Sequence, residues 1–249
     1  AGRRYVVRLG CDLPHHHVSR THELMASRAA HGLGLSPEIV HAEPGLMVLA
    51  FVEGRTFAAA DVRAHLPRVA ALVRRYHVEM ARAVSGPAAF FSPFHAIRDY
   101  VRLLQRPAGP RAAGLERLLE SADALERAQV PAAPVFGHND LLPANLIDDG
   151  DRLWLIDHEY AAFATPMFDL AGLASNAGFS AAENRRLLEA YLGEAPGAAL
   201  LRSHAAMQCV SLLRESLWGM VSDLHPGVPG FDFAGYARDN LERFEAALG

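Results

Sequence analysis

Hydrophobic and polar residues follow two different periods along this chain. From Tyr5 to Leu9 the run YVVRL is β-branched and aromatic, which suits a strand. CDLPHHH follows as a loop, and Ser19 then stands as the N-cap of a helix expected to run to about His31 and stop at Gly32. LSPEIVHAE and GLMVLAFVEG read as two strands turning at Pro44 and Gly45. A small α+β piece therefore closes near Glu53 and Gly54.

Beyond Gly54 the period lengthens to that of helices. Ser92 and Pro93 open a helix whose Phe94, Ile97, Val101 and Leu104 line one stripe. Leu115, Leu118, Leu119, Ala122 and Leu125 line another. Ser180 with Glu183 fits a capping box ahead of Leu187, Leu188, Tyr191 and Leu192. Long helices are expected over roughly 196–223 and 233–247, and the Pro and Gly clusters at 107–114 and 226–230 read as loops. One segment departs from this. Pro131 and Pro134 forbid a continuing helix, and ANLI and RLWLID are extended runs joined by DDGD, so 135–160 carries a β-hairpin set among helices.

Composition limits the classes. The 249 residues, 51% hydrophobic, can bury a large core in one domain or two tightly associated lobes. With 21% charged residues, a net charge of -4 and arginines in nothing longer than pairs, the chain has no basic footprint for nucleic acid. Cys11 and Cys209, far apart and without a CxxC, argue against a disulfide framework and point to a reducing cytoplasm. No apolar run approaches the ~20 residues of a membrane span, so no membrane insertion is expected.

Residues 137–159, GHNDLLPANLIDDGDRLWLIDHE, carry the candidate chemistry. Transfer of a γ-phosphoryl group needs an acceptor for the proton of the attacking hydroxyl, and oxygen ligands for the Mg²⁺ that bridges the phosphates. His138, Asp140 and Asn145 form H-x-D-x-x-x-x-N, the spacing of a kinase catalytic loop. Asp140 would accept the proton, and Asn145 would turn its amide oxygen to a metal. Asp157, at the end of the second hairpin strand, reaches the same metal because the hairpin folds 145 and 157 back together. Other polar clusters read as bland. His15, His16 and His17 form a solvated loop, since adjacent side chains do not converge as tetrahedral ligands. Asp148, Asp149 and Asp151 around Gly150 are turn residues, and Trp154 belongs to the core.

On these motifs the chain resembles the aminoglycoside phosphotransferase and choline kinase superfamily, over nearly its whole length. The resemblance implies an α+β, protein-kinase-like fold of two lobes, with a small β-rich N-terminal lobe over 1–53 that binds nucleotide. The large helical lobe over 54–249 carries the inserted catalytic hairpin and binds the acceptor. It implies ATP and Mg²⁺ as cofactors, Asp140 as catalytic base, and Asn145 and Asp157 as metal ligands. Asp169 in PMFDLA buttresses the catalytic loop, and His138 shares that structural role. Arg8 stands where protein kinases place a phosphate-contacting lysine, an arginine adding a bidentate fork, and Glu23 is its natural ion-pair partner. VLAFVEG is similar to the family's hinge, so the backbone of Ala50, Phe51 and Val52 would hold adenine. The residues before Arg8 are too few for the glycine-rich hairpin that covers the phosphates, which needs roughly 20 or more, and the reading adopted is that this chain begins late.

HND and IDHEY lie closer to the choline and ethanolamine kinases than to aminoglycoside enzymes. The expected acceptor is a small cationic alcohol, which wants aromatic faces and a carboxylate. Glu159 follows Asp157 by two residues and would place a negative charge beside the acceptor hydroxyl. Trp218 and Tyr236 match the family's cation cage, and Glu215, three residues before Trp218, shares its helix face. A second tryptophan common in the family is absent, which would also suit a primary ammonium. The alternatives are an aminoglycoside or thiamine phosphotransferase, or a catalytically weak binding protein that kept the kinase fold.

Overall fold

The computed structural model describes residues 2–105, 114–225 and 230–248. The loops expected at 107–114 and 226–230 fall almost entirely outside these described residues. Within them the architecture is the α+β, protein-kinase-like one: mostly helical, with three small sheets. Contacts divide the chain into two compact units, Ala1–Phe90 with Ala132–Gly197, and Phe91–Pro131 with Ala198–Gly249.

The first unit opens on an antiparallel sheet of order β1-β3-β2, where β1 is Tyr5–Leu9, β2 Ile39–Glu43 and β3 Leu46–Ala50. Gly45, at φ +82, permits the tight turn between β2 and β3. Register places Arg8 opposite Met47 and Tyr5 opposite Ala50. Helix α1, Arg20–Gly32, lies between β1 and β2 in sequence. Its expected caps shift. Ser19 makes no side-chain cap; instead the Arg20 N–H donates to Asp12 Oδ1 at 2.7 Å. Gly32 is still helical, and the turn falls at Gly34, with φ +68. Ahead of α1, Pro14–His16 form a 3-10 turn, and the supposed solvated histidine loop is corrected there: His16 is buried.

Two helices follow, α2 (Ala59–Ala64) and α3 (Leu66–Ala83), and α3 buries Val69, Val73, Tyr76, His77 and Met80 on one face. The hairpin β6 (Leu146–Asp148) and β7 (Leu153–Leu155) forms as its pattern implies, and β4, Arg55–Thr56, adds a third strand beside β6. Asp149 Oδ1 accepts the N–H groups of Asp151 and Arg152 at 2.9 and 2.8 Å, closing the turn around Gly150. Trp154 leaves the core assigned to it. It alternates with the buried Leu153 and Leu155, so its indole is only half-buried and donates to Asp149 Oδ2 at 2.7 Å. Strands β5 (Val135–Gly137) and β8 (Ala162–Ala164) pair antiparallel. Helix α6, Pro166–Ala177, is capped by Thr165 and apolar nearly all round, hence buried, and α7, Ala181–Leu192, carries the Ser180–Glu183 capping box.

The second unit is helical: α4 (Pro93–Gln105), α5 (Leu115–Arg127), α8 (Ala198–Leu224) and α9 (Phe233–Leu248). α8 and α9 pack closely enough that a Cβ on Gly219 would lie 3.0 Å from the Cβ of Ala237. Among the described residues no helix is long and apolar enough to cross a membrane.

Candidate active site

The loop that leaves β5 holds His138, Asn139 and Asp140, and its backbone is clamped from behind. Asp169, on the first turn of α6, accepts the His138 N–H at 2.7 Å through Oδ2 and the Asn139 N–H at 2.6 Å through Oδ1. Asn139 adopts φ +62, a left-handed conformation that asparagine tolerates, and donates its amide to the Tyr160 carbonyl at 3.0 Å. Asp169 is buried, which by itself raises a carboxyl pKa. Its bonds to His77 and to the His138 N–H outweigh that and hold it below the ordinary range. The His77 ring in turn meets Tyr191 Oη at 2.8 Å. His138 lies wholly buried against Tyr76 and His158, its Nε2 2.9 Å from the Ile156 carbonyl, and burial pushes its pKa down. The half-buried Asp140 thus follows a backbone with little freedom left.

Asn145 ends a 3-10 turn, Pro143–Asn145, and donates Nδ2 to the Asp140 carbonyl at 2.9 Å, which turns its amide oxygen away from that bond. The Ile156 N–H bonds the Asn145 carbonyl at 3.0 Å, so the hairpin draws 145 to the residue next to Asp157. Asp157 sits at φ +67, a left-handed conformation that aspartate, like asparagine, tolerates. One amide oxygen and one carboxylate are hard donors, a set that fits Mg²⁺ completed by phosphates.

Arg8 reaches three carboxylates at once. Its Nε lies 2.9 Å from Glu23, Nη1 donates to Asp157 at 2.7 Å, and Nη2 donates to Glu159 at 2.7 Å. Arg20 bridges the same group: its Nη1 meets Glu23 Oε2 at 2.7 Å and Glu159 Oε2 at 2.9 Å, while Nε donates to the Cys11 carbonyl at 3.0 Å. Glu23 is only 2% exposed, and burial raises its pKa against the opposing pull of Arg8 and Arg20. Glu159, expected beside the acceptor hydroxyl, has its Oε2 engaged by both guanidinium groups.

A cleft of about 360 Å³ opens beside this cluster, walled by Val6, Leu49, Ile147 and Ile156 and edged by Ala50, Phe51, Val52 and Asp157. Its lining is mostly apolar, as a nucleotide base requires, and Arg8 is the cation it offers to phosphates, beside Glu23 and Asp157.

In the second unit Trp218 and Tyr236 meet edge to face with centroids 5.8 Å apart, and the Tyr236 hydroxyl donates to Glu215 Oε2 at 2.6 Å. Phe233 lies tilted against Trp218 with ring centroids 5.8 Å apart, and Phe231, 47% exposed, lies 5.8 Å from Tyr236.

The sequence reading missed several of these residues. Arg20 precedes Glu23 by three positions on α1 and so shares its face, a spacing that could have flagged it. Phe231 and Phe233 stand in FDF just before Tyr236. His77 and Tyr191 carry no such signal, because His77 reaches Asp169 from a helix 92 residues before it, and Tyr191 reaches His77 from a helix 22 residues after Asp169.

The model of the phosphotransferase enzyme family matches residues 1–203, and the chain belongs to that family. It is a small-molecule kinase. The chain is 24% identical over 262 residues to Protein LicA of Haemophilus influenzae, covering 100% of this chain and 94% of that protein. The fold is similar to a choline/ethanolamine kinase family protein from Mesorhizobium loti, with a TM-score of 0.83, 26% identity, and 100% and 83% of the two chains covered. It is also similar to choline kinase LicA from Streptococcus pneumoniae, with a TM-score of 0.82, 22% identity, and 99% and 86% covered.

Proposed function

We propose that this kinase transfers the γ-phosphoryl group of ATP to the hydroxyl of a small amino-alcohol, choline or ethanolamine. Residues 1–53 serve as the nucleotide lobe and 54–249 as the catalytic and acceptor lobe. The observation that carries the phosphoryl-transfer reading is the clamped 138–140 loop, with Asn145 tied to the Asp140 carbonyl and drawn to the strand end that bears Asp157.

Asp140 accepts the proton of the attacking hydroxyl, and the Asp169 clamp keeps it in one place as it does so. Asn145 and Asp157 would hold Mg²⁺, which when bound would offset the charge of the phosphates. Arg8 contacts those phosphates. The N–H groups of Ala50 and Phe51 already bond the Glu38 and Arg4 carbonyls, so hinge recognition of adenine narrows to the Val52 N–H and to carbonyl groups. The amine is recognised by the rings of Trp218 and Tyr236, which suit an ammonium group, with Glu215 holding the Tyr236 hydroxyl while its own charge is paired with Arg214. Support for an amino-alcohol comes from the likeness to the choline/ethanolamine kinase family protein.

The test is a coupled ADP-release assay with choline, ethanolamine, thiamine and kanamycin, run alongside Asp140→Ala. Release that depends on choline or ethanolamine and vanishes in the variant supports the reading. Release with thiamine or kanamycin alone moves the acceptor class, and nucleotide binding without any transfer moves the protein to a binding role.

A further inference from the structure

Three carboxylates and two guanidinium groups share one cluster, and their connections are unequal. Asp157 is bonded by Arg8, whereas Glu23 and Glu159 are each held by both Arg8 and Arg20. The Arg20 guanidinium is itself anchored, through Nε to the Cys11 carbonyl. Arg8 has no such anchor in the cluster. All three of its nitrogens point at carboxylates, so it can turn to a phosphate only by letting some of them go. Leaving a carboxylate as buried as Glu23 without a cation is strongly unfavourable.

We propose that Arg20 is a positioning residue that releases Arg8 for phosphate binding. It gives Glu23 and Glu159 a second cation, so that both stay paired when the Nη groups of Arg8 turn from Asp157 and Glu159 to the nucleotide. Glu159 then acts through the two arginines and sets how tightly Arg8 is retained. The proposal rests on the kinase reading above, in which Arg8 contacts the phosphates.

The experiment measures the affinity for ATP and for adenosine by isothermal titration calorimetry in Mg²⁺ buffer, with wild type, Arg20→Gln, Glu159→Gln and the double variant. Adenosine uses the cleft without the phosphates and reports whether that cleft is intact. Arg20→Gln should weaken ATP at least tenfold and change adenosine less than twofold. Adding Glu159→Gln should restore most of the ATP affinity, because one carboxylate fewer then competes for Arg8. A drop of equal size with or without Glu159 would show Arg20 contacting phosphate directly and would overturn the proposal, as would unchanged ATP binding in Arg20→Gln. If the single variant also loses adenosine, Arg20→Lys decides: the proposal requires ATP affinity to return at least in part with the charge. Wild type that binds adenosine and ATP equally would instead defeat the kinase reading itself.

Discussion

His77 Nε2 lies 2.8 Å from Asp169 Oδ2, and this contact, beside the packing of Tyr76 on His138, ties helix α3 to the loop that presents Asp140. His77 and Asp169 are both buried, and the Asp169 carboxylate also accepts the two backbone N–H groups of that loop. Asp169→Asn replaces a charged acceptor by a neutral amide that must turn a donor toward at least one donor already present. Loss of about 3 kcal/mol of stability is expected, read as a lower urea midpoint. The kcat should fall with it, while the KM for ATP changes little.

Asp140 lies at the other end of the same device. Asp140→Asn keeps its size and removes the base, so kcat should drop by about 10²- to 10⁴-fold. Nucleotide affinity, measured by calorimetry, should stay within twofold. A variant of undiminished turnover would remove Asp140 from the chemistry.

For the acceptor, Trp218→Ala removes one ring of the aromatic cluster. A cation–π contact is worth about 1–2 kcal/mol when desolvated, which is roughly a 5- to 30-fold rise in the KM for choline. ATP kinetics should be unaffected. An unchanged KM would assign Trp218 to packing alone.

His204, buried on α8, supplies a pH prediction. Burial lowers its pKa from 6.5 to about 4. The unfolded chain therefore binds this proton more readily between those values, and stability rises with pH there. The contribution is fully present above pH 6.5 and is lost as pH falls toward about 4. Melting temperature should decline across that window, and His204→Phe should flatten the decline.

Much of the fold was legible because it is written in local periods. The stripe Phe94, Ile97, Val101, Leu104 became α4, and Ser180 with Glu183 became the cap of α7. The DDGD turn became the β6–β7 hairpin for the same reason: its hydrogen bonds run between residues two or three apart. Local signals failed where a distant partner decided. Asp12 displaced Ser19 as the acceptor at the start of α1, and the pleat turned Trp154 to the half-exposed face of its strand.

The candidate site divides along the same line. The spacing of His138, Asp140 and Asn145, and the return of the hairpin toward Asp157, are properties of a short stretch of chain, which the sequence alone could specify. Arg8 meets Asp157 and Glu159 across 149 and 151 positions, and His77 meets Asp169 across 92. No periodicity encodes such pairs. They exist because β1, α1 and the end of the hairpin bring their charged side chains, partly buried around the buried Glu23, to one point where opposite charges pair. Only the tertiary structure could decide that Glu159 would pair with two arginines, and that Arg20 would be one of them.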